Sequence, residues 1–354
     1  MIRVGVIGLG TVAQLMHLPL LSSLYEKFKI TAVCDVSPLL TSYIADQYSA
    51  KAYSAPQDLV SDPEVDAVFV LSPDQYHADY GIMAMNAGKH VFIEKPVALC
   101  PQDLERLIEA EKANPGVICM VGYMRRYANG FLKCKELLQN DSRKIEYVRL
   151  RDIILEGDFF IDQTKHPFMA NDIPAELLAE SRARRYEQIG KALGENCTEQ
   201  QRVSYVMLTG LGCHTLAAAR ELFGNPLEIK SVAADGEHLI AVFQYDGFLG
   251  VYEILNDQDI VQFDAAIEIY QHSRRMRIKY ETPYLRYQPH SFEVIESTKT
   301  DTETTVYGPD YHDAFENELH VFAECIASGT KPKSTPEDSM ADLKLFREII
   351  DKIA

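Results

Sequence analysis

Residues 88–99 read GKHVFIEKPVAL, which sets an acid and a base, Glu94 and Lys95, directly behind the apolar run Val91-Phe92-Ile93, with Pro96 after them. A short apolar run without alternation reads as a strand buried on both faces, and groups at its carboxyl end stand where parallel sheets bind ligands. The pair is thus placed for chemistry. A lysine there can stabilise negative charge developing on a bound oxygen, and Pro96 restricts Lys95 to an extended backbone that aims the side chain.

A second group of residues stands at the start of the chain. IRVGVIGLGTVA joins a buried strand to Gly8-x-Gly10-x-x-Ala13, with Thr11 and Val12 leading into a helical pattern. Gly8 permits a tight turn, Gly10 lets backbone approach a pyrophosphate, and the small Ala13 lets the helix pack closely on the strand. The next strand, ITAVCD, ends about twenty residues later in Asp35, where an acid accepts hydrogen bonds from adenosine ribose hydroxyls and repels a 2′-phosphate. The expected cofactor is NAD, with NADP left open because Ser37 lies close by.

These residues require a frame that gathers strand ends. VDAVFVLSP reads as a buried strand ending at Ser72-Pro73, followed by a helix from His77 to Ala87. HVFIEKP is the next strand, Asp103 to Ala113 the next helix, and VICMVGY a further strand. Strands alternating with helices through short connections imply a parallel, doubly wound sheet. Gly8, Asp35, Ser72, Lys95 and Tyr123 then fall at its carboxyl ends. His77 either caps its helix or lies beside the cofactor.

After Gly122 the pattern changes to an amphipathic helix reaching about Leu138 and a long alternating strand, KIEYVRLRDIIL. From Gly157 to Ser204 the chain is polar and helix-like, as in a lid or insertion. CHTLAAARELFG is a helix stopped by Gly224 and Pro226, and strands follow from Ile229 to Tyr307 with hairpin signals at Asp235-Gly236 and Asp246-Gly247. The expected fold class is α/β: an N-terminal Rossmann dinucleotide-binding domain (1–122) and a C-terminal α+β domain (123–354) with a large, mostly antiparallel open sheet. Helices Ala314 to Ala327 and Asp338 to Ile353 are expected to cover one sheet face, the last (about 338–353) also being able to pack back on the first domain. The other face is expected to meet a second subunit in a homodimer or homotetramer.

Composition narrows the classes. The formal net charge of −17 over 354 residues argues against a nucleic-acid groove, and no apolar span suits a membrane. Two basic stretches, Arg182, Arg184, Arg185 and Lys191 in one and Arg274 to Lys279 in the other, read as solvated or interface faces before anionic-substrate sites. The seven cysteines show neither a CxxC pair nor a Cys/His ligand spacing, which suits reduced thiols, no metal site and a cytoplasmic address. The amino terminus runs directly into a strand, so no secretory signal is expected.

The glycine turn, the Glu94-Lys95-Pro96 element, VGYMRRY, the helix opening near His214 and the closing stretch AFENELHVFAECIASGTKPKSTPED together resemble the glucose-fructose oxidoreductase, inositol dehydrogenase and MocA family over nearly the whole chain. The resemblance implies an NAD(P)-dependent oxidoreductase moving hydride between nicotinamide and a hydroxyl or keto carbon of a sugar, cyclitol or related small molecule. By position, Lys95 would contact the reacting oxygen and His214 would be the acid or base, a role imidazole suits near neutrality. Glu94 would steady the turn or the nicotinamide side, and Tyr123 and Arg126 would contact substrate or cofactor. Dehydrogenases of this group often carry Asp four residues before the histidine and another three after it. Here Gly210 and Ala217 stand there, which keeps open a non-catalytic dinucleotide-binding regulator or an NAD-cycling hydrolase or lyase. Asp158, Lys165 and His166 are candidate substitutes.

Overall fold

A computed structural model describes residues 1–154, 158–257 and 262–353. Among them the chain divides into two compact units. The first comprises Met1–Gly122, Lys165–Glu195 and Glu318–Leu343, and the second Tyr123–Thr164, Asn196–Asn317 and Lys344–Ala354.

The first unit is built on six strands: β1 (Ile2–Ile7), β2 (Phe28–Cys34), β3 (Lys51–Tyr53), β4 (Ala67–Val70), β5 (His90–Glu94) and β6 (Cys119–Gly122). They pair in parallel in the order β3-β2-β1-β4-β5-β6. That order reverses between β1 and β4, which opens a crevice at the carboxyl ends of those two strands. Continuous apolar strands follow from cover on both faces: all four residues of β4 are fully buried, and Phe69 stacks on Phe92 at 4.9 Å. Phe322, from helix Ala314–Ser328, closes edge-on against both rings at 5.7 Å. The sequence reading assigned that helix to the meander sheet; Phe322 instead completes this aromatic cluster.

The second unit holds eight strands: β7 (Ile145–Ile154), β8 (Glu228–Asp235), β9 (His238–Gln244), β10 (Leu249–Asn256), β11 (Asp264–Gln271), β12 (Arg274–Tyr280), β13 (His290–Ser297) and β14 (Thr302–Asp310). Both hairpin signals hold, Asp235 pairing with His238 and Gln244 with Leu249. The meander is interrupted, because β7 lies between β11 and β10 and pairs with β10 in parallel. A long crossover, invisible to local turn signals, makes that pairing. Helices Asn129–Gln139 and Cys213–Phe223 pack on one face.

The basic stretches are neutralised within their own units. Arg184 pairs with Asp79 and Arg185 with Asp74, while Arg275 and Arg277 both reach Glu268 and Arg274 reaches Asp141. All seven cysteines are free thiols, and six are buried. Among the described residues no helix is long and apolar enough to cross a membrane, and no cluster of side chains suits a metal ion.

Candidate functional site

The glycine turn is where the sheet's order reverses. Gly8 has φ +92°, and a Cβ there would lie 2.4 Å from the Ser72 backbone nitrogen, so β1 and β4 can converge only with glycine. At Gly10 the opposite holds: a Cβ would meet nothing within 4 Å. Its open side is the space a pyrophosphate backbone would need. Thr11 and Val12 begin the helical turn that continues as a π-helical stretch, Ala13–His17.

Asp35 ties the loop together. One carboxylate oxygen accepts the Leu9 N–H at 2.8 Å and the other accepts the Ser37 N–H at 3.0 Å. A cavity of about 340 Å³ opens beside it, lined by Gly8, Asp35, Ser72 and Pro73 together with residues the sequence reading missed: Val36, Ser54, Tyr76 and Tyr80, and Ile173, Leu177, Leu178 and Ser181 from the segment after Lys165. A mostly apolar cleft with a few polar groups, at a switch point, fits the adenosine half of a dinucleotide. The residues present therefore fit the expected cofactor.

The Glu94-Lys95-Pro96 element ends β5 on the same sheet. Glu94 is buried: one carboxylate oxygen meets His17 Nε2 at 2.7 Å and the other accepts the Lys95 N–H at 3.0 Å. Burial pushes its carboxyl upward, yet the His17 hydrogen bond and the charges of His17, Lys95 and His77 outweigh it and hold the pKa below the ordinary value. Glu94 so anchors the backbone from which the half-buried Lys95 projects. His17 was not anticipated; nothing in LMH marks it, and only its edge-on packing against Phe92 and Phe69 reveals its place.

His77 neither caps its helix from solvent nor has a ring nitrogen to spare. Nδ1 lies 2.8 Å from the Pro96 carbonyl and Nε2 2.6 Å from the Ser72 carbonyl, so the ring joins the ends of β4 and β5. The ring thus holds the Ser72 carbonyl of the strand end that lines the cavity.

In the second unit, His214 is buried near the start of helix Cys213–Phe223, directly after a π-helical stretch, Leu208–Gly212. Widened turns of that kind often accompany functional positions. The adjoining Thr215 enters a buried network absent from the sequence reading. Arg125 pairs with Asp152 at 2.6 Å and donates to the Thr215 hydroxyl, Thr215 donates to Asp152 at 2.9 Å, and the Tyr252 hydroxyl donates to Asp152 at 3.1 Å. Burial raises the Asp152 pKa even though all three partners favour its charge. The network fixes the first turn of the helix carrying His214.

Arg126 and Tyr123 stand together at the end of β6. Both are buried; Arg126 pairs with Glu221 at 2.6 Å and lies over the Tyr123 ring at 5.8 Å, so the guanidinium is committed to helix Cys213–Phe223. Gly210 is exposed, and a Cβ there would meet nothing within 4 Å, so packing does not forbid an acid at that position. Of the proposed substitutes, Lys165 and His166 are exposed and fall in the first unit, and the Asp158 side chain lies outside the described residues.

Comparison with known proteins bears out the resemblance over the first 123 residues. Residues 2–123 match the GFO_IDH_MocA family, described as an oxidoreductase family with an NAD-binding Rossmann fold. Myo-inositol 2-dehydrogenase of Thermotoga maritima is 35% identical over 207 residues, covering 54% of this chain and 61% of that protein. Inositol 2-dehydrogenase of Salmonella paratyphi B is 33% identical over 141 residues, so the chain spans about 42% of that relative's length. Among solved structures, a 3-ketoreductase of Actinomadura kijaniata in complex with NADP superposes with TM-score 0.73 at 18% identity, covering 99% of this chain and 98% of that one. A dehydrogenase of Clostridium difficile does so with TM-score 0.73 at 19% identity, covering 99% of each. At such identities the likeness speaks for the fold. Residues 2–123 carry that family's NAD-binding Rossmann fold.

Proposed function

We propose that the protein is an NAD(P)-dependent oxidoreductase that interconverts a hydroxyl and a keto carbon of a sugar, cyclitol or related small molecule. The observation that carries this reading is that Gly8, Asp35, Ser72 and Lys95 end or follow four neighbouring strands of one parallel sheet, three of them around a single cavity. The names of the matched relatives, two inositol dehydrogenases, support the cyclitol class.

When bound, the nicotinamide supplies or takes up the hydride. The chain's own residues do the rest. Asp35 and the cavity walls hold the adenosine half, and the Gly8–Gly10 turn lets backbone N–H groups approach the pyrophosphate. Lys95, kept in place by Glu94 and Pro96, stabilises charge developing on the reacting oxygen. His214 is assigned the proton transfer, its helix start held by the Thr215–Asp152–Arg125 network. The outward face of the eight-stranded sheet, which carries exposed Ile240 among ion pairs such as Arg149–Glu253, is proposed as a homo-oligomer contact.

A second reading, a dinucleotide-binding regulator without turnover, draws on Gly210, where room exists for a carboxylate and none is present. Single-turnover kinetics separate the two. Protein loaded with NADH is mixed with a panel of keto-cyclitols and keto-sugars, alongside Lys95→Ala and His214→Ala. Discharge of the nicotinamide fluorescence by one compound, slowed about a hundredfold or more in each variant, is the expected result. Binding of NADH without discharge across the panel would favour the regulator.

A further inference from the structure

The segment that follows Lys165 brings a carboxylate to the helix end that adjoins the cavity residues Asp35 and Val36. Asp172 sits at the amino end of helix Pro38–Tyr48, whose N-cap, Ser37, lies two residues past Asp35, accepting the Ser37 hydroxyl and, at 2.9 Å, the Leu39 N–H. It is held there from both sides. On one side Phe168 stacks on Tyr43 of that helix at 4.6 Å, and its N–H donates to Gln14 Oε1 at 2.7 Å. On the other, Ile173 and Leu177 enter the cavity lining beside Asp35. The hydrogen bonds from Ser37 and Leu39 hold the Asp172 pKa below the usual carboxylate value, so it is charged near neutrality.

The amino end of a helix, with free N–H groups and the positive end of its dipole, is where an anion binds, and here it lies next to the acid expected at the adenosine ribose. A 2′-phosphate would need those N–H groups or a cation. Val36, Ser37, Pro38 and Leu39 offer no cation, and the N–H of Leu39 is already taken. From this geometry we infer that Asp172 is a specificity-determining residue, a built-in anion that fills the place of the 2′-phosphate and with Asp35 makes the site selective for NAD over NADP. The inference rests on the dinucleotide reading of the cavity, and it assigns to the segment after Lys165 a part in choosing the cofactor.

The test is fluorescence titration of NADH and NADPH into the full chain and into Asp172→Asn and Asp172→Ala, with thermal melting of each to establish folding. The wild-type chain is expected to bind NADH more tightly than NADPH. Removing the charge is expected to improve NADPH binding about tenfold while NADH binding changes less than about threefold, the Asn variant retaining the shape should the Ala variant unfold. Wild-type binding of NADH with the NADPH-to-NADH ratio unmoved in both variants would overturn the inference alone. Failure of the wild-type chain to bind either dinucleotide would overturn the cavity reading, and the inference with it.

Discussion

The two glycines of the turn make opposite predictions under the same substitution. At Gly8, alanine takes on a left-handed backbone at φ +92° and places a methyl 2.4 Å from the Ser72 nitrogen and 2.6 Å from the Leu71 carbonyl carbon. The backbone conformation alone costs roughly 1–2 kcal/mol, and overpacking against main chain that cannot rotate away adds roughly 1–3 kcal/mol. A loss of roughly 2–5 kcal/mol corresponds to a melting shift of about 5–20 °C for a unit of this size. At Gly10 the methyl meets nothing within 4 Å, so stability should stay within about 0.5 kcal/mol of wild type. That methyl would stand where the pyrophosphate approaches, and NADH binding should weaken at least about tenfold, or about 1.4 kcal/mol. Calorimetry together with NADH fluorescence titration reads both quantities. A Gly10→Ala protein that binds NADH like wild type would refute the placement of the cofactor at this turn, and a Gly8→Ala protein that melts like wild type would refute the close approach of the turn to the end of β4.

Two further perturbations probe the frame. Asp152→Ala leaves Arg125 buried without its partner and should cost roughly 3–5 kcal/mol, read as an earlier melting transition, while the paired Arg125→Met/Asp152→Leu change should recover part of it; a single variant of wild-type stability would contradict the network's role. Asp62, bonded by the Tyr53 hydroxyl, the Glu64 N–H and Lys51, has its pKa lowered to about 2. The native value lies below the unfolded one, so this stabilisation is fully present above the ordinary carboxyl range of about 4 and is lost as pH falls toward about 2. Urea denaturation at pH 5 to 2 should therefore show a shallower acid decline in Asp62→Asn, and superimposable slopes would contradict the assignment.

The first unit was legible because four of its strands, β1, β2, β4 and β5, are mostly buried and lead into residues with a stereochemical reason to be there: Gly8, Asp35, Ser72 and Pro96. β3, at the sheet edge and exposed for most of its length, gave no such signal. The second unit's hairpins were legible from Asp-Gly pairs, whereas the parallel pairing of β7 with β10 depends on residues a hundred positions apart. The site was read unevenly for the same reason. Lys95 and the glycine turn announce themselves through neighbours in sequence, but His17 under Glu94, Asp152 under Thr215 and Asp172 beside Ser37 acquire meaning only through long-range contacts. The same holds for the partners of Arg126, which folding pairs with Glu221, and of His77, whose ring nitrogens both meet carbonyl oxygens.

Hydride transfer can be followed with an isotope. The full chain would be given NADH deuterated at the transferable C4 position together with the keto compound that discharges it, and the product examined by mass spectrometry and NMR. One deuterium on the new carbinol carbon, stoichiometric with NAD formed and appearing about a hundredfold more slowly with His214→Ala, is the result this mechanism requires. Product free of deuterium, or conversion with no net change in the nicotinamide, would contradict it.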